Sequence, residues 1–458
     1  MHLLAILEIM AQVFFIHHAI QRNKSRYWIA FLLIPWIGFL VYFFTEWISG
    51  QGQANAPMGN LDASPAPVSV KGRQMAYISQ GKLFQLTDGA PAEPFQSPFG
   101  QKLIDQTLRI HQKNEWKTQG AGSHFGGAAL WGVEAVNADA IKVNITSVAQ
   151  CPDDERLFYF LETDSAGGLF AGHPGTKAET RLFHKEKFKG RDLDIHPETK
   201  EFVCSRQFAN GTASITLISP DGTDMKILTE GDAMDDCPSW IPGKGRRILF
   251  QSSGIARNTD GYAIGRGAAA IQALDLDQQR MTTVLENPQY DFLQPHISVD
   301  GYLYYIRRPY EMNTYGPMTA VLDFILFPFR LLRAVFHYLN FFSLVYSRKP
   351  LTTASGPKMA GDDLKTIMLK GKVIDAEKAL RKGARIMGVP SLVPASWVLI
   401  RRDENDNETI LAAHVASFDI SRNGTLIYSN GYGIFELDPQ KRQALLLKDK
   451  LIEDVIIA

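Results

Sequence analysis

Residues able to do chemistry occur in this chain in a few separate clusters. GAGSHFGGAALWG, Gly120 to Gly132, has the glycine content of a phosphate cradle. A cradle needs a buried strand before it and a phosphate-binding lysine after it, and the sequence supplies neither. EGDAMDD, Glu230 to Asp236, offers oxygen ligands of the kind calcium takes, though such acidic turns are more often simply solvated. Cys151, Cys204 and Cys237 are far apart and form no CxxC, which argues against zinc. They leave open whether one disulfide forms. GxSxG and HExxH do not occur, which argues against a serine hydrolase or a zinc protease of those types. These patterns predict no catalytic set, no metal and no cofactor.

A fourth cluster concerns lipid. DFILFPFRLLRAVFHYLNFF, Asp323 to Phe342, is long enough as a helix to span about 30 Å, yet it carries Asp323, Arg330, Arg333 and His337. At helical spacing those four fall within about 80° of one another, a polar stripe on a Phe- and Leu-rich cylinder. That pattern predicts a helix lying in a membrane interface, with Phe329, Phe336, Phe341 and Phe342 toward acyl chains and Arg330, Arg333 and His337 toward headgroups. The competing reading is a helix packed on the protein or on a second copy of it.

Stepping outward, the chain holds 48 Lys and Arg against 48 Asp and Glu, so no net charge draws it to nucleic acid. Hydrophobic residues make up 45%, which predicts a packed protein. Leu3 to Ile20 and Tyr27 to Ile48 are apolar runs around the basic loop QRNKSR. They predict a transmembrane helical hairpin over 1–48, with the loop in the cytoplasm and everything after Ser49 outside it. Residues 49–67, rich in Gly, Pro, Ala and Ser, predict a flexible tether. The hairpin, with its aromatic WIAFLLIPWIGFLVYFF span, resembles the anchor of cardiolipin synthases and related phospholipase D-type proteins. Their His-x-Lys-x4-Asp motif is absent, since Thr118 stands where His111 and Lys113 would require Asp.

From residue 68 onward the chain reads as strands with turn signals at short intervals. CPSWIPGKGRRILFQSS, QPHISVDGYLYYIRRP and VASFDISRNGTLIYSNG each give a short strand, a Gly-containing turn and an alternating strand. The period of roughly forty to fifty residues predicts an all-β fold, a six-bladed β-propeller over 68–458. The C-terminal LIEDVIIA is expected to pair with strands near Met75 to Thr87. SPDGTDMKILTEGDAMDDCPSWIPGKGRRILFQSS, Ser219 to Ser253, resembles the TolB-like propeller repeat, with Leu228-Thr229, Gly231, Asp235, Pro238, Trp240 and Pro242 matching. In this frame Ser123 and His124 sit in a loop at a propeller mouth.

Blade five begins at ISVDGYLYYIRRP and ends at SWVLIRRDENDNETILAAHV, with a helical insertion near 316–388 between them. One blade holding both flanks forbids a single membrane crossing by the insertion. A second insertion helix is expected over Asp362 to Ala384. The resemblances imply a bacterial inner membrane, with the propeller on the periplasmic side. The expected function is binding of a protein or envelope component, with the lipid bilayer as a further partner and no nucleic acid. The alternative is an enzyme acting on lipid or glycan at the propeller mouth. A His and carboxylates converging in the channel would favour that alternative.

Overall fold

The computed structural model describes residues 75–86, 91–118, 142–150, 156–311 except 174, 175, 177 and 244, residue 327, and 366–457 except 371, 377, 378, 381, 382 and 439. The expected hairpin over 1–48, the tether over 49–67, Ser123, His124, and Phe329, Arg330, Arg333, Phe336, His337, Phe341 and Phe342 lie outside the described residues. Residues 1–65 and 66–458 form two units. Among the described residues no helix is long and apolar enough to cross a membrane.

The second unit is built from six four-stranded antiparallel sheets, which are the blades of a propeller. Blade two shows the plan: Asn144–Gln150, Leu157–Glu162, Ala166–Gly172 and Glu179–Glu186, laid side by side in chain order. Its central strand, LFYFLE, is apolar at nearly every position because the blade is covered on both faces by its neighbours. Blades three, four and six repeat the plan from the innermost strands Gly190–Ile195, Ala233–Trp240 and Ser417–Ile420. A single bridge, Ala213 to Met234, links blades three and four at their edge.

Closure follows the expectation. Ile452–Ile457 is the innermost strand of blade one and pairs antiparallel with Met75–Ser79, so the two ends of the unit share one sheet. A ring closed in this way ties the two ends of the unit together.

Blade five also follows it: Leu303–Pro309 pairs directly with Val398–Arg402, although 88 residues separate Pro309 from Val398. The insertion therefore leaves and re-enters on one side. Its described part differs from the helix expected over Asp362 to Ala384. Thr366–Leu369 and Lys372–Asp375 form a β-hairpin. Acids and lysines suggested a helix face, but Thr366, Ile367, Val373 and Ile374 are β-branched, which favours strands.

The helix Pro98–Thr118, between blades one and two, was not anticipated. Ser97 caps it by accepting the Gly100 N–H at 3.0 Å, Pro98 fills the first helical position, and Glu179 accepts the Phe99 N–H at 2.7 Å.

Candidate functional site

The six innermost strands surround an axial channel. Five of them carry one residue at the same register, one pair short of the strand end: Ala149, Asp194, Ser239, His296 and Asp419. Two residues earlier come Ser147, Asp192, Cys237 and Gln294, and both sets line one cavity. At Asp192, Cys237 and Gln294 the strand bulges and φ is 50°, 49° and 52°. Non-glycine residues adopt that region at a cost, and here one device recurs in three consecutive blades.

Hydrogen bonds across the blade junctions hold this ring. Leu193 N–H donates to Ser147 Oγ at 2.7 Å, and Trp240 N–H donates to Asp194 Oδ2 at 2.7 Å. Cys237 N–H donates to Asp192 Oδ2 at 3.1 Å, and Ser239 Oγ donates to the Pro295 carbonyl at 2.7 Å. Gln294 Nε2 donates to the Phe418 carbonyl at 2.9 Å, and Ile457 N–H donates to Asp419 Oδ2 at 2.8 Å. Asp194 and Asp419 thus latch one blade to the next as well as facing the channel. Trp240, from the Pro-x-Trp motif, packs edge-on against His196 at 4.7 Å and seals one such junction.

Within the ring lies a cavity of about 140 Å³ touched by all six blades. Asp192, Asp194, His296, Asp419 and Asp454 line it, with Val148, Leu193, Pro238, Pro295, Phe418 and Val455 between them. One side of the channel is met by the insertion hairpin. Lys370, at the hairpin turn, places Nζ 4.0 Å from Asp192 Oδ1. The turn is tied down because the Lys370 carbonyl accepts from Arg308 Nη1 at 3.1 Å. Arg308 itself is paired with buried Asp291 at 2.7 Å and lies 4.8 Å from the Trp397 ring centroid. The cavity runs along the innermost strands from Asp192 and Cys237 toward Gln150 and Ile457.

Burial sets the electrostatics. It pushes Asp419 up to about 6 against the Ile457 and Ile420 N–H groups that hold its charged form. It also pushes Asp454 up to about 6, with Lys370 opposing and Asp192 and Asp419 adding repulsion. Asp194 is raised by burial, against the Trp240 N–H and His296, and burial lowers His296 against the pull of Asp194. Burial alone would lower Lys370, but Cys237 together with Asp454, Asp192 and Asp236 raises it above the ordinary lysine value. Burial, with Asp192 beside it, pushes the Cys237 thiol up, and Lys370 opposes. Carboxylate-selective ¹³C NMR is expected to show midpoints near 6 for Asp419 and Asp454. Lys370→Met is expected to raise the Asp454 midpoint further and leave Asp419 in place, because Lys370 bears on the first and not the second. Midpoints near 4 for both would mean that water solvates the pocket fully.

The acidic turn Glu230 to Asp236 does not gather around a point. Asp232 pairs with Arg257 at 2.7 Å, and Asp236 with Arg266 at 3.5 Å. Among the described residues no group of three His, Cys, Asp or Glu side chains is placed to hold a metal ion. Cys204 and Cys237 are free and buried, while Cys151 lies outside the described residues. The channel set itself was missed from sequence because its members are one blade apart. Stacking the repeats on their strand ends would have aligned Asp194, His296 and Asp419.

No family profile matches this chain, and no curated protein does. Solved structures do. The chain is similar to TolB from Acinetobacter baumannii at 11% identity and a TM-score of 0.44, over 84% of this chain and 66% of that one. It is similar to a chain of the nidogen/laminin complex at 8% and 0.44, over 84% and 98%. It is similar to the tricorn protease at 12% and 0.41, over 84% and 34%. At such values these likenesses carry no argument about activity, and the propeller assignment rests on this chain's own sheets and closure.

Proposed function

We propose that this chain is a membrane-tethered propeller on the extracytoplasmic side of a bacterial inner membrane, and that it binds a protein or envelope component through its axial pocket without catalysis. The observation that carries the reading is the axial cavity itself, lined from all six blades and by Asp192, Asp194, Asp419 and Asp454. A rigid ring of innermost strands presents that pocket on one face, the arrangement that suits recognition. The tether rests on the two apolar runs and the basic loop of the sequence.

The enzyme alternative draws on one feature, His296 facing Asp194 in the pocket. Against it, Asp194 accepts backbone N–H groups from Trp240 and Ile195, which fix its carboxylate as a latch between blades. Cys237, the candidate nucleophile of the pocket, is held as a thiol.

Photo-crosslinking in intact cells tests the reading. A benzoylphenylalanine at Asp300 or Arg422, exposed on first-hairpin loops at one face, is expected to give a discrete adduct in the inner-membrane fraction. The same probe at Asp260, exposed on the hairpin 258–262 away from that face, is expected to give none. Adducts of equal yield at all three positions would overturn it.

A further inference from the structure

The insertion hairpin of blade five is an addition to the six-blade plan, and its tip reaches into the axial channel. We propose that this hairpin is a displaceable plug: it closes the end of the cavity marked by Asp192 and Cys237, and it swings clear about its own base while the ring of blades stays folded. Such a plug governs access to the cavity whatever the cavity binds.

Register puts the hairpin at that end. The second strand of blade five stops at Pro309, opposite Tyr290, the first residue of the innermost strand. The insertion therefore departs from the face where the innermost strands begin. Asp192 and Cys237 lie two residues nearer that face than Asp194 and Ser239. Lys370, at the hairpin tip, meets them there. Its Nζ is 4.0 Å from Asp192 Oδ1, and the Cys237 N–H donates to the other oxygen of the same carboxylate at 3.1 Å. Asp454, from blade one, also bears on the ammonium. Blades one and four stand opposite each other in a ring of six, so a side chain facing Cys237 and Asp454 together lies across the channel.

The attachment is strong at the base and weak at the tip. Thr366–Leu369 and Lys372–Asp375 pair with each other and, among the described residues, with no blade strand. Ile374 and Ala376 are buried in an apolar cluster with Leu392, Val393 and Trp397, which fixes the base. The tip is held by polar contacts, the Asp192 ion pair and the Arg308 Nη1 donation to the Lys370 carbonyl at 3.1 Å. Withdrawal wets the ammonium and the carboxylates together, so hydration of both partners offsets the lost attraction. The competing arrangement is a permanent staple, in which Lys370 leaves the channel only when the ring itself unfolds.

Two cysteines separate these. Cys237 is 7% exposed and lines the plugged end, while Cys204 is 0% exposed in the second strand of blade three and reports opening of the ring. The test is alkylation of the full chain in detergent by N-ethylmaleimide at pH 7.5, with each site read by peptide mass spectrometry. In the parent, Cys237 is expected to react slowly while Cys204 stays unmodified. Lys370→Met is expected to speed Cys237 by about tenfold or more, with Cys204 still unmodified. The direction is diagnostic, because Lys370 favours the Cys237 thiolate and its loss by charge alone would slow the reaction. Equal rates at the two cysteines in either protein would make the hairpin a staple and overturn the proposal. So would fast reaction of Cys237 that Lys370→Met leaves unchanged, slower reaction in the variant, or no reaction of Cys237 in either. The comparison of Cys237 with Cys204 in the parent stands even if the variant fails to fold.

Discussion

Removing Leu451 to Ala458 is expected to abolish cooperative folding of the propeller. The eight residues carry the innermost strand of blade one, and blade one is where the ring closes. Ile452 and Val455 are 0% and 1% exposed, packed with Tyr77, Ile427, Ile434 and Leu446 in the cluster joining blades one and six. Each such side chain contributes about 2 kcal/mol by burial, and the strand's ladder bonds to Met75–Ser79 add about 1 kcal/mol apiece. The loss is also contextual. Asp419 would lose the Ile457 N–H that latches blade six, and Ser79 Oγ would be left near a fraying end. The total, about 8–10 kcal/mol, rivals the whole stability of an ordinary domain. Urea unfolding followed by circular dichroism is the measurement, with Val455→Ala as the mild comparison at about 2 kcal/mol. A truncated chain that unfolds cooperatively within about 1 kcal/mol of the full one would show that this strand does not hold the ring.

Much of that architecture is legible in the sequence, because the propeller repeats a local signal. ISVDGYLYYI and ISRNGTLIYS are the same object, a strand, a turn that needs a glycine at positive φ, and an alternating strand; Gly301 and Gly424 have φ of 83° and 79°. Six copies also fix the closure, since the leftover strand at one end must complete the leftover sheet at the other. The helix Pro98–Thr118 escaped because its face is weakly apolar. Its readable sign was the Ser97-Pro98 start, a cap followed by a fixed φ. The hairpin around Lys370 escaped for a different reason. Its charges were read before its β-branched residues, and charge pattern says less about backbone than side-chain branching does.

The pocket was the least legible feature. Its members sit on different blades, so no window of sequence holds two facing groups. Asp192 and Asp194 are close in the chain, but their partners His296, Lys370, Asp419 and Asp454 are brought in only by ring closure and by the insertion. An expectation that convergent His and carboxylate groups would mark an enzyme is also refined here. Two of those carboxylates hold blades together, so convergence in a propeller channel arises first from how the ring is latched.

Lys370→Met is expected to destabilise the protein by about 3 kcal/mol at pH 7.5, the low end of the cost of removing one member of a buried ion pair. Its side chain is 12% exposed, so solvent screens it little, and methionine nearly preserves the volume. What is lost is the charge that offsets Asp192, Asp236 and Asp454. The sign of the pH dependence follows from linkage. Lys370 is raised in the folded state, so its own contribution is complete throughout the range below the ordinary lysine value and changes little between pH 5 and 7.5. Asp454 is also raised, to about 6, so the folded state holds its proton more tightly than the unfolded state does. Stability therefore falls as pH climbs from about 4 through 6. Without Lys370 the Asp454 value rises further, that fall becomes steeper, and the gap between variant and parent widens with pH. At pH 5, with Asp454 largely protonated in both, the gap is expected to shrink to about 1 kcal/mol. Urea unfolding at the two pH values reads the difference directly. A gap that is constant with pH would mean that Lys370 supports the channel by packing.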